Sequence, residues 1–197
     1  SGKSFSVKRE IENTILAYPE DEIIVLDPAG EYSPVVEANG GECIRFAPDA
    51  DTHLNPFDLS DVAHQSRSAQ MAFKIDAFLA LSSATMAEGD QGLPEADKSI
   101  ISRCVERAYR DADEEGRIPL LGDFHRILKA QPEPEARDIA LRYERYVEGA
   151  LSFFNRPSNV TFDRRITNVD FRDLSENMRA FGIITVLECV RNRMIPK

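Results

Sequence analysis

Apolar residues recur along this chain in two distinct periods, and the change from one to the other divides it. Val7, Ile11, Ile15 and Tyr18 stand at i, i+4, i+8 and i+11, one stripe of a helix that Pro19-Glu20-Asp21-Glu22 brings to an end. Ile23-Ile24-Val25-Leu26 then runs apolar without alternation and stops at Asp27, the pattern of a strand buried on both faces of a parallel sheet. A turn over Asp27-Pro28-Ala29-Gly30-Glu31-Tyr32 leads to Val35, Val36 and Ala38, a short helix that Asn39-Gly40-Gly41 ends. Cys43-Ile44-Arg45-Phe46 reads as a second strand. Helix, strand, helix, strand is the alternation of a doubly wound α/β sheet.

His53-Leu54-Asn55-Pro56-Phe57-Asp58-Leu59 reads as a stiff polar loop, after which the pattern is helical alone. Met71, Ile75, Phe78 and Leu79 mark one amphipathic helix, and Ile100, Ile101, Cys104, Val105 and Ala108 a second. Phe124, Ile127 and Leu128 mark a short third. A long fourth starts at Pro134 and carries Ala136, Ile139, Ala140, Tyr143, Val147, Ala150, Leu151 and Phe154 on its stripe. Val160 to Asp163 and Ile166 to Phe171 read as strand segments around Arg164-Arg165, a hairpin at the sheet edge. Ser175 caps a last helix, 176 to 193, whose apolar run Phe181 to Leu187 calls for burial against a sheet. The expected organisation is a first part of an α/β core at 1–61, an all-α insertion at 62–155 and a return to the core at 156–197.

Composition narrows the function classes. Of 197 residues, 42% are hydrophobic and 29% charged, ordinary for a globular protein, and no run of about 18 apolar residues is present to span a membrane. Residues 1–60 hold 4 basic and 12 acidic side chains, 61–155 hold 12 and 17, and 156–197 hold 8 and 5. A net charge of -10 disfavours static clamping of duplex DNA, which needs a basic face. Cys43, Cys104 and Cys189 lack C-x-x-C spacing and read as reduced, mostly buried thiols of a cytoplasmic protein. His53 has no metal partner at useful spacing and reads as a loop or capping histidine; His64 and His125 read as surface features.

The chemistry-bearing stretch is Ser1-Gly2-Lys3-Ser4. G-K-S is the end of the phosphate-loop signature G-x-x-x-x-G-K-[ST], in which backbone N–H groups cradle phosphates, the Lys reaches the β/γ-phosphates and the hydroxyl ligates Mg²⁺. Lys3-Ser4 run straight into the first helical stripe, as that motif requires. The other reading of the same residues is a non-native leader followed by an ordinary solvated lysine. Asp27 and Glu31 fall just past the carboxyl end of the first strand, where ligands of open α/β sheets bind; the other reading is a strand-ending turn with solvated acids.

As an ordered set, these stretches resemble the VirB4/TraC/TraE-type ATPases of type IV secretion and conjugative transfer. The set runs from G-K-S at 2–4, I-I-V-L-D-P-A-G-E-Y at 23–32 and L-N-P-F-D-L at 54–59 through the helical insert. It continues in Arg142 to Gly149, Phe153-Phe154-Asn155 and Ser158-Asn159-Val160. The resemblance implies a partial RecA-like P-loop core, a mostly parallel sheet with flanking helices, interrupted by the insertion. It implies ATP and Mg²⁺ as cofactors, with Gly2, Lys3 and Ser4 binding nucleotide, Ser4 also ligating the metal, and Asp27 and Glu31 as the acidic catalytic pair. Arg164 or Arg165 acting in trans is a further implied possibility. The implied setting is a homo-hexamer at the cytoplasmic face of the cell membrane, engaging other secretion or conjugation components and contacting DNA transiently. The first half of the phosphate loop and a following Asp-Glu strand are not in the sequence, so the expectation is a piece that is inactive by itself. The alternatives are a non-catalytic assembly module and a HerA/FtsK-like DNA pump.

Overall fold

A computed structural model of the chain describes residues 2–59, 66–86, 92–148 and 152–194. Their elements are α1 (Gly2–Ala17), β1 (Ile23–Asp27), α2 (Ser33–Ala38), β2 (Glu42–Arg45), α3 (Arg67–Met86), α4 (Glu95–Glu114), α5 (Leu121–Lys129), α6 (Pro134–Val147), β3 (Ile166–Asp170) and α7 (Glu176–Met194). A single 3₁₀ turn, Ser152–Phe154, follows α6. The chain forms two units, residues 1–52 with 160–179, and 53–159 with 180–197. The fold is mixed α/β, a small parallel sheet with flanking helices and a further helical body, consistent with a partial RecA-like core carrying a helical insertion.

In the first unit the three strands are all parallel, in the order β1-β3-β2. The register pairs Ile23 with Ile166, Asn168 with both Val25 and Cys43, and Asp170 with both Asp27 and Arg45. The segment read as an edge hairpin is therefore the central strand. Residues 160–163 are not a strand, and all five residues of β3 are buried. One face of the sheet is covered by α1 and α2, which contribute Ile15, Val35 and Val36 to a core shared with Ile166. Ile11, Ile23, Val25, Tyr32 and Cys43 pack around it half-buried. Val7 and Tyr18, expected on the buried stripe of α1, are exposed, because the sheet contacts are concentrated on Ile11 and Ile15.

Arg165 joins three element ends at the amino edge of the sheet. Its guanidinium donates to the carbonyls of Ile15 (2.9 Å) and Tyr18 (2.8 Å), satisfying acceptors orphaned at the end of α1. Its own carbonyl accepts the N–H of Ile23 (2.7 Å), the first residue of β1. With its last turn held there, α1 runs back along the sheet, and at about 1.5 Å per residue it is longer than the strand beneath it. Gly2 to Ser4 form its first turn, at the end of the helix away from Arg165.

The second unit packs α3 to α6 around aromatic rings. Phe57 lies 4.7 Å from Phe78 and 5.5 Å from Tyr109 by ring centroid, and Phe124 lies 4.7 Å from Phe78 and 5.2 Å from Tyr143. The loop expected to be polar is thus a core element, with Leu54, Asn55, Phe57 and Leu59 buried. Asn55 satisfies its amide by donating to Pro119 O (2.9 Å) and accepting from Phe57 N–H (3.1 Å). His125, expected at the surface, is buried, its Nε2 3.0 Å from the carbonyl of Ala140; His64 lies outside the described residues. The stripe of α6 stops at Val147. Ala150 and Leu151 lie outside the described residues, and Phe154 reaches the core from the 3₁₀ turn. Phe181 of α7, expected to be buried against a sheet, stacks on Tyr146 at 4.2 Å and meets Phe154 at 4.7 Å, so it is buried among aromatic rings of the second unit.

Candidate functional site at the carboxyl edge of the sheet

Parallel strands present their carboxyl ends on one side, where open α/β sheets take ligands. Here that edge carries Asp27, Asp170 and Arg45 side by side in register. Asp27 is fully buried. One carboxylate oxygen accepts the N–H of Glu31 (3.0 Å); the other accepts the N–H of Tyr32 (2.8 Å) and, more weakly, the Nδ2 of Asn168 (3.3 Å). It closes the turn and stands at the start of α2, where orphaned N–H groups favour a negative charge. A buried carboxylate is tolerable only when hydrogen-bonded in this way. The geometry therefore gives Asp27 the work of holding the turn, and leaves Glu31, whose backbone it holds, with an exposed side chain.

Asn168, in the middle of β3, supports the same turn. Its Nδ2 also donates to the Ser33 hydroxyl (3.0 Å), the first residue of α2. Asp170 is buried at the end of β3 and takes both Nε (2.7 Å) and an Nη of Arg172, together with the Arg172 N–H (3.0 Å). Arg45, at the end of β2, reaches Asp173 (2.7 Å) and Asp49 (3.2 Å). Asn168, Asp170 and Arg172 were not singled out from sequence. Their signal, a second strand ending in Asp, acquires meaning only once β3 is known to lie against β1.

Gly2, Lys3 and Ser4 form the first turn of α1, and Ser4 is half-buried. The first four N–H groups of a helix have no intrahelical partner, which makes such a turn suited to phosphate. Among the described residues no cluster of three or more His, Cys, Asp or Glu is placed to hold a metal. Arg165, a candidate to act in trans, has its guanidinium engaged at the end of α1, while Arg164 is exposed. In the helical unit two grooves, of about 1130 and 610 Å³, are bordered by cations already matched to acids. Arg110 pairs with Glu106 and Arg117 with Asp123, so neither groove is lined by a bare charged cluster. Among the described residues no helix is long and apolar enough to cross a membrane.

No protein-family model and no curated protein matches this sequence. Among solved structures the chain is similar to that of VirB4 of Thermoanaerobacter pseudethanolicus, with a TM-score of 0.77 and 21% identity over 98% of this chain and 75% of that one. At that identity the likeness establishes the fold.

Proposed function

We propose that this chain belongs to the ATPase core of a secretion or conjugation motor of the VirB4 kind. In this reading residues 1–61 and 156–197 are core and 62–155 the helical insertion. What carries it is that a fold similar to VirB4 over 98% of the chain has G-K-S on the first turn of α1, which we place at the carboxyl edge because the last turn of that helix is held at the amino edge. That edge is also where the Asp27-to-Tyr32 turn lies. The resident groups would be ATP and Mg²⁺, whose chemistry is transfer of the γ-phosphoryl group to water.

Lys3 would place a positive charge against the β/γ-phosphates and Ser4 would supply the hydroxyl to Mg²⁺. Glu31 is the exposed carboxylate suited to orienting a water by accepting its proton in a hydrogen bond. Asp27 keeps Glu31 in place through its backbone N–H, which divides the acidic pair into an acting and a holding member. The motor setting brings with it a hexamer at the inner face of the membrane, other secretion components as partners and transient contact with DNA.

The test is ATP hydrolysis by the polypeptide that carries these residues with both halves of the phosphate loop. Lys3→Ala should abolish turnover with the fold intact, and Glu31→Gln should lower kcat with little change in KM. Unchanged hydrolysis in Lys3→Ala would remove this turn from the site. Strong stimulation by DNA would reassign the motor to DNA pumping.

A further inference from the structure

The turn after β1 is held from a second side. Gly30 has φ of +69°, a conformation that side chains disfavour, and the Arg172 guanidinium lies directly over it. A Cβ at Gly30 would collide with Arg172 Nε and come within 2.5 Å of Cζ and 2.8 Å of Cδ. The guanidinium is fixed by buried Asp170, and the backbone beside it is tied down as well, since Phe171 N–H donates to Asp27 O (3.0 Å). One face of Arg172 remains open, with its side chain 48% exposed against 3% for Asp170. An ordinary surface ion pair has two mobile, solvated partners and contributes little. This one has an immobile partner, approaches side-on through Nε and Nη, and covers a glycine whose positive φ disfavours a side chain.

We propose that Arg172 is a positioning residue. Clamped on Asp170, it closes over Gly30 and fixes the 28–32 turn, so that Glu31 is presented at the carboxyl edge in one orientation. Asp27 grips the turn from within and Arg172 covers it from outside. The step from turn to turnover rests on the role given to Glu31 above; the hold on the turn does not.

Two measurements separate these. In the 197-residue chain, hydrogen exchange at the Glu31 and Tyr32 amides should be about tenfold faster in Arg172→Ala, with β1 and the helical unit unaffected. Arg172→Lys should fail to restore protection, because an ammonium cannot make the side-on pair or cover Gly30. Should Arg172→Ala unfold, Gly30→Ala supplies the same displacement from the other partner and should accelerate exchange at the same two amides. In the hydrolysing polypeptide, Arg172→Ala should lower kcat about tenfold with KM unchanged, and should add nothing to Glu31→Gln. Unchanged exchange in Arg172→Ala overturns the proposal, as does full rescue by lysine. Full activity in Glu31→Gln overturns the role of Glu31 and leaves the exchange result to decide the clasp.

Discussion

Replacing Asp27 by alanine tests the central physical claim about the carboxyl edge. The carboxylate takes two backbone N–H groups at 3.0 and 2.8 Å and is fully buried. Hydrogen bonds to a charged group are worth roughly 1.5–3 kcal/mol each, and removing the acceptor leaves two part-buried donors without it. Eliminating a buried charge returns part of this. The net loss is about 3–5 kcal/mol, a large share of the ~5–15 kcal/mol that holds a typical domain together. The chain has no tryptophan, so urea unfolding is followed by far-UV circular dichroism. With a slope of about 2 kcal/mol/M, the midpoint should fall by roughly 1.5–2.5 M. Asp27→Asn, which keeps one acceptor oxygen but turns an NH₂ towards a donor, should fall between the two. A midpoint within about 0.5 M of the parent would refute the assignment of Asp27 to holding the turn.

Three further outcomes follow from the helical unit. Burial pushes the Cys104 thiol up to about 11, so at pH 8 only about 0.1% is thiolate, and iodoacetamide should leave Cys104 unmodified until the chain is unfolded. Asp123 is held below its ordinary 3.8 first by the paired Arg117 guanidinium and then by Leu120 N–H. A lowered folded-state value means that its contribution is complete above about pH 3.8 and disappears as pH falls through the folded value. Asp123→Asn should thus cost about 1–2 kcal/mol at pH 7, discounted because Arg117 is partly exposed, and the gap should close on acidification below pH 3.8, measured by urea midpoints. Tyr143→Phe removes the hydroxyl 2.6 Å from Ser82 Oγ, which still donates to Phe78 O, and should cost about 1 kcal/mol by the same assay.

Local pattern carried most of the elements. The apolar run 23–26 and the stripes of α3 to α6 depend on period and on Pro and Gly punctuation, which a single sequence displays. What it does not display is which elements lie against one another. Val160 to Asp163 has strand-like residues but is not a strand, whereas Ile166 to Asp170 is fixed as one by two neighbours more than 120 positions earlier. Phe57 sits in a Pro-containing polar stretch, and nothing nearby reveals that Phe78, Tyr109 and Phe124 surround it. His125 is concealed in the same way, its partner being a carbonyl 15 residues on in the next helix.

The same distinction applies to the candidate site. Asp27 and Glu31 were legible as a pair because a strand ending in an acid followed by a Gly-containing turn is a local feature. That one side chain faces inward and the other outward was not, since it depends on packing that the sequence does not display. A carboxylate facing inward onto N–H groups satisfies its own turn and is withdrawn from solvent, whereas one facing outward remains available to a water or a phosphate-bound ion. Buried and exposed acids four residues apart are therefore expected to fail differently. If the proposed function holds, Asp27 substitutions should lower stability and activity together, while Glu31→Gln should leave the unfolding free energy within about 0.5 kcal/mol and affect turnover alone. Equal losses of stability in both would mean that the two carboxylates share one structural task, and the acting residue of the edge would have to be sought elsewhere.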